Sequence, residues 1–104
     1  MTAPGPQVVN DPRGSRFAVE ADGHTAELVY RVVADRLVLI HTEVPEAIDG
    51  RGLGSDLVRA AIEHAVEHRL TVVPKCPFAR GWLERHPEEA SRVTIDWPEG
   101  TAPT

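Results

Sequence analysis

Apolar and polar residues alternate with a period of two through the first half of this chain and recur at helical spacing through the second. Phe17, Ala18, Val19 and Glu20 alternate, predicting a short strand over residues 17–20. Asp22-Gly23 follows as a hairpin signal. Residues 25–33 place Ala26, Leu28 and Tyr30 on one face and Glu27, Val29 and Arg31 on the other, a second strand. After the short turn Ala34-Asp35-Arg36, the run from Leu37 to Ile40 continues to Val44 as a third. The period then changes. Leu57, Val58, Ala61, Ile62, Ala65 and Val66 fall on one helical face, with Asp56, Arg59, Glu63, His64, Glu67 and His68 mostly outside it, predicting a helix over about 52–68. Residues 70–73 read as a short buried strand and 78–86 as a short helix with Trp82 and Leu83 inward, ended by Pro87. Residues 88–91 add a turn and 93–95 a small strand. The Pro- and Gly-rich residues 1–13 and 98–104 are expected to be loose tails around one domain of residues 14–97.

These elements predict an α/β fold: a mixed, mostly antiparallel sheet, a principal helix entered from a glycine loop, and a shorter C-terminal helix. The first three strands form an antiparallel meander. A strand–helix–strand unit with a right-handed crossover puts residues 70–73 parallel to 37–44. Ligands of such units bind at the carboxyl ends of the strands. That rule gathers Glu43-Val44, the glycine loop and Pro74-Lys75-Cys76 around one crevice.

The loop is Asp49-Gly50-Arg51-Gly52-Leu53-Gly54-Ser55. A glycine-rich turn opening a helix points several backbone N–H groups at one spot and adds the positive end of the helix dipole, which suits a phosphate or pyrophosphate. The plain alternative is a tight turn with no ligand. The loop lacks the Lys of a P-loop, and its third glycine comes one position too early for a dinucleotide fingerprint.

Composition narrows the classes. The 104 residues carry a net charge of −5, 41% hydrophobic and 26% charged residues, an ordinary globular balance. An acidic chain without a basic, aromatic-rich stripe is not expected to bind nucleic acid. No apolar run approaches a membrane span, and the first six residues have neither a basic region nor an apolar core, so no membrane association is expected. The single cysteine, Cys76, excludes an internal disulfide and suits a cytoplasmic location. An anionic ligand needs local positive charge, for which Arg51, Lys75 and Arg80 are candidates.

Asp49-Gly50-Arg51-Gly52-Leu53-Gly54 resembles the pyrophosphate loop of the GCN5-related N-acetyltransferases, Gln/Arg-x-x-Gly-x-Gly/Ala, with Asp49 where Gln or Arg is usual. His41-Thr42-Glu43-Val44-Pro45, Val73-Pro74-Lys75-Cys76-Pro77-Phe78 and Arg85-His86-Pro87-Glu88 extend the likeness, from about residue 17 to 93, to a small single-domain subfamily with a cysteine near the acetyl group. The resemblance implies acetyl-CoA as cofactor and acetyl transfer to an amine as activity. It also implies backbone amides from Arg51 through Gly52, Leu53, Gly54 and Ser55 around the pyrophosphate, and a backbone N–H near Glu43-Val44 on the thioester carbonyl. It favours an acetyl-cysteine on Cys76.

The residues offer the matching chemistry. Lys75 and a helix starting near Phe78 both stabilise a thiolate at Cys76, which then serves as acetyl acceptor or as proton donor to the leaving thiolate. A small apolar filler is the other reading of Cys76. His41 and Glu43 share a face of their strand and are the candidate bases; if that face is the core, His41 is simply hydrogen-bonded, the reading preferred here. His64 and His68 have the spacing of a metal pair but, without a third ligand nearby, read as surface residues. Cys76, His41 and His86 match no common zinc spacing, so no metal is expected. A non-catalytic acyl-CoA-binding or sensing module on the same fold is the alternative function, and a structural protein with a phosphate-binding turn the third. The acceptor is expected to be a large amine, such as one on a protein.

Overall fold

The computed structural model describes residues 7–98. One five-stranded sheet runs in the order β1 (Val9–Asp11), β2 (Arg16–Ala21), β3 (His24–Val33), β4 (Arg36–Glu43) and β5 (Thr71–Pro74). The first four strands pair antiparallel, and β5 lies parallel to β4 through Arg36–Thr71 to Leu39–Pro74. Asp22 and Gly23 turn β2 into β3 with positive φ at both residues, the conformation for which Asp-Gly is suited. A 3-10 turn, Glu46–Ile48, leads to α1 (Leu53–His68); α2 (Pro77–Arg85) and α3 (Pro87–Ala90) follow β5. Ile95 adds one parallel bridge to Val72.

The predicted fold is borne out in strands β2 to β5 and helices α1 and α2, whereas the turn expected over 88–91 is the short helix α3 and the strand expected over 93–95 is only the Ile95 bridge. Residues 9–11, expected within a loose tail, form the edge strand β1: Val9 pairs with Ala18, and the Tyr30 hydroxyl donates to Asn10 Oδ1 at 2.6 Å. A three-residue edge strand between prolines carries no periodicity to read. Residues 1–6 and 99–104 of the two expected tails lie outside the described residues.

The core lies on one face of the sheet. Phe17, Val19, Leu28, Tyr30, Leu37, Leu39 and Val72 meet Leu57, Val58, Ala61 and Ile62 of α1. Burying each large aliphatic side chain contributes about 1.5–3 kcal/mol. Helix α2 packs beside α1 on this face, where buried Trp82 donates its Nε1–H to Ser55 Oγ at 2.8 Å. Among the described residues no helix is long and apolar enough to cross a membrane.

A β-bulge in β4 decides which residues reach that face. Val29 pairs with His41 and Tyr30 with Leu39, so Ile40 is the extra residue. Before the bulge, Leu37 and Leu39 face the helices; after it, Thr42 does, opposite buried Leu28. His41 and Glu43 do share a face, as the alternation implies, but the bulge turns it away from the core. The preferred reading of His41 as a core residue is therefore corrected: its side chain is 59% exposed, 3.5 Å from Glu43 Oε1.

Candidate functional site

Strands β4 and β5 part at their carboxyl ends. The last register pair is Leu39–Pro74, and the N–H groups of Lys75 and Cys76 both donate to Leu39 O, at 2.9 and 3.0 Å. There the chain swings into α2, while β4 runs on to Glu43 with only β3 beside it. Buried Ile48 anchors the connection to the glycine loop. Gly50 (φ 81°) and Gly52 (φ 77°) take left-handed conformations, and a Cβ on either would stand in open space. Gly52 caps α1 without a side chain, so no capping side chain covers the first-turn amides of Leu53, Gly54 and Ser55.

A groove of about 190 Å³ opens over these amides, with Val44, Asp49, Gly52, Gly54 and Phe78 in its lining. The first-turn amides and the positive end of the α1 dipole suit an anionic group. The side chains around it add less than expected. Asp49, in the position where a Gln or Arg is usual, accepts from the N–H of Gly50 at 2.9 Å. Arg51 is paired with Asp22 at 2.5 Å across the β2–β3 turn, and Ser55 Oγ is held by Trp82. Lys75 is exposed and is not among the residues lining the groove. Arg80 is half-buried on α2 and is likewise outside the lining.

A Cβ on Gly54 would lie 2.6 Å from Cζ of Phe78, so this glycine makes room for that ring. Phe78 stays 40% exposed in the groove wall.

Two residues before Phe78, Cys76 is 2% exposed. It is the N-cap of α2: Sγ accepts from the Ala79 N–H at 3.4 Å. Its other partner is Thr42 Oγ1 at 3.1 Å, on the end of β4. A thiolate at this position would receive both hydrogen bonds and the positive end of the α2 dipole. Thr42 and Phe78 lie in the matching blocks, but the bulge that turns Thr42 inward leaves no trace in the hydrophobic pattern.

The structure thus brings Val44, the glycine loop and the Cys76 turn together. It places His41 and Glu43 across the sheet from the thiol. His86 ends α2, stacked 3.9 Å from the Trp82 ring with Nδ1 against Trp82 O. His64 and His68 do have a third donor, Glu67, beside them.

Comparison with known proteins matches residues 16–93 to the family described as GCN5-related N-acetyl-transferase. Protein NATD1 of Homo sapiens is 36% identical over 84 residues, 78% of this chain and 74% of the relative. Protein NATD1 of Gallus gallus is 36% identical over 84 residues, 78% and 76% of the two chains. The solution structure of a GCN5-like protein from Staphylococcus aureus superposes with a TM-score of 0.68 at 26% identity, covering 91% of this chain and 92% of that one.

Proposed function

Because the chain belongs to the GCN5-related N-acetyltransferase family, we propose that it moves an acetyl group from acetyl-CoA to an amine by way of Cys76. The observation that carries this reading is the buried thiol capping α2, bonded to Thr42, at the parting of β4 and β5 beside the glycine-loop groove.

In this account the amides of Gly52 to Ser55 hold the pyrophosphate, and the unpaired edge of β4 near Glu43-Val44 supplies an N–H to the thioester carbonyl. The Cys76 thiolate attacks that carbonyl; a new C–S bond forms as the coenzyme A sulfur departs with its electron pair. The acceptor amine then attacks the acetyl-cysteine, its proton passes to a base, and the Cys76 thiolate is restored. His41 and Glu43 are exposed on the opposite face of the sheet from Cys76, so neither is placed to take that proton, which passes to solvent or to a group of the acceptor.

A second reading, acyl-CoA binding without turnover, is favoured by one observation: neither candidate base shares a face with Cys76. Release of coenzyme A from acetyl-CoA in the presence of primary amines and lysine peptides distinguishes the two. Amine-dependent release that Cys76→Ser abolishes supports transfer. Saturable coenzyme A binding with no release over that range of amines leaves binding alone.

A further inference from the structure

We propose that His64, Glu67 and His68 form a binding site for a divalent transition metal ion of the zinc, nickel or cobalt class, at the far end of α1 from the acetyl site. Among the described residues this is the one group of three such side chains whose donor atoms converge, all within 4.8 Å of one another. The two imidazole centroids are 4.3 Å apart, and His68 Nε2 lies 3.8 Å from Glu67 Oε1. Bonds of about 2.0–2.2 Å to nitrogen and oxygen need donors somewhat closer than this. Glu67 and His68 are exposed and free to rotate the remaining distance.

His64 is the fixed member. Its half-buried ring packs edge-on against Phe17, centroids 5.7 Å apart, and beside Tyr30 at 6.3 Å. Ring contacts of this kind orient the ligand before the ion arrives. The last turn of α1 adds the negative end of the helix dipole, which favours a cation. Two imidazoles and one carboxylate select borderline ions over magnesium or calcium. Three protein donors leave the remaining positions to water or another ligand. His64 and Glu67 line a cleft of about 300 Å³ between β1 and α1, together with Asn10 and Glu63. Helix α1 has 16 residues, a length of about 24 Å, so the ion would sit well away from the glycine loop.

The test is calorimetric titration of the full chain with Zn²⁺, and separately with Ni²⁺. One ion per chain is expected. His68→Ala and Glu67→Gln, both exposed positions that leave the fold intact by circular dichroism, should each weaken binding, His68→Ala by about tenfold or more. Cys76→Ser should leave it unchanged. No saturable binding, binding unaffected by His68→Ala, or binding lost with Cys76→Ser would each overturn the proposal.

Discussion

Thr42 Oγ1 lies 3.1 Å from Cys76 Sγ, joining the end of β4 to the first residue before α2. The contact exists because one extra residue, Ile40, reverses the alternation of β4 between Leu39 and Thr42. Thr42→Val keeps the shape and removes the hydroxyl. One hydrogen bond of about 1 kcal/mol is lost, which corresponds to a roughly fivefold slower reaction of the thiol. Stopped-flow measurement of acetyl transfer, or of alkylation by iodoacetamide, checks this; an unchanged rate removes Thr42 from the site.

Cys76 has a structural task beside the chemical one proposed for it, and two substitutions separate them. Serine is a better N-cap than cysteine, so Cys76→Ser should hold α2 in place and keep the melting temperature. Cys76→Ala loses the cap, a cost of about 0.5–2 kcal/mol. For a domain of this size that is a fall of several degrees, at about 4–8 °C per kcal/mol. Thermal denaturation of the pair decides it; equal melting temperatures would show that the Sγ–Ala79 bond contributes nothing.

Phe78 is 40% exposed in the groove wall, two residues after a thiol that is itself 2% exposed. Phe78→Ala should speed alkylation of Cys76, and the readout is clean because the chain has one cysteine. Gly54→Ala should act in the same direction by pushing the ring outward, since its methyl would meet Phe78 at 2.6 Å. Slower or unchanged alkylation in both variants would contradict this gating by the ring.

Gly52→Ala tests the loop. The new methyl meets nothing within 4 Å, so the cost is the left-handed backbone alone, about 1–2 kcal/mol. The melting temperature should fall accordingly, and coenzyme A binding should weaken as the loop relaxes away from its cradle conformation. Full affinity in a folded variant would show that the positive φ at residue 52 does not matter for the ligand.

Much of this was legible in the sequence because it is written in periods. Ala26, Leu28 and Tyr30 alternate, Leu57 to Ala65 recur at helical spacing, and Asp22-Gly23 announces its turn. Cys76 stood out as the one cysteine in a matching block. What was not legible depends on contacts that periodicity does not encode. Two like residue patterns, with and without the bulge at Ile40, place His41 on opposite faces. Gly54 looks like its neighbours, yet its role is set by a ring 24 positions further on. Arg51 reads as a phosphate cation until Asp22 arrives from a distant turn. Glu67 reads in the sequence as one more charge on the outer face of α1, although it stands beside His64 and His68.

His64 gives the stability a pH dependence. Burial first, then His68, lower its pKa from 6.5 in the folded chain, with Glu67 opposing; Phe17 and Tyr30 pack against it from the core face of the sheet. The unfolded chain therefore binds the proton more readily, and stability is lost as pH falls below about 6.5. Glu63, whose pKa is lowered by its hydrogen bond to Arg92, loses its contribution only below 4.5. Denaturant unfolding between pH 7 and 5 should show the loss, and His64→Gln should flatten it. A slope that survives the substitution would assign it to another group.

The central claim, acetyl transfer by way of Cys76, is tested most directly by intact mass after incubation with acetyl-CoA. The expected result is a gain of one acetyl group that hydroxylamine removes, that is absent in Cys76→Ser, and that disappears when an acceptor amine is added. Protein that binds coenzyme A, turns over an amine and never carries the acetyl group, even when sampled on the millisecond scale, would contradict it.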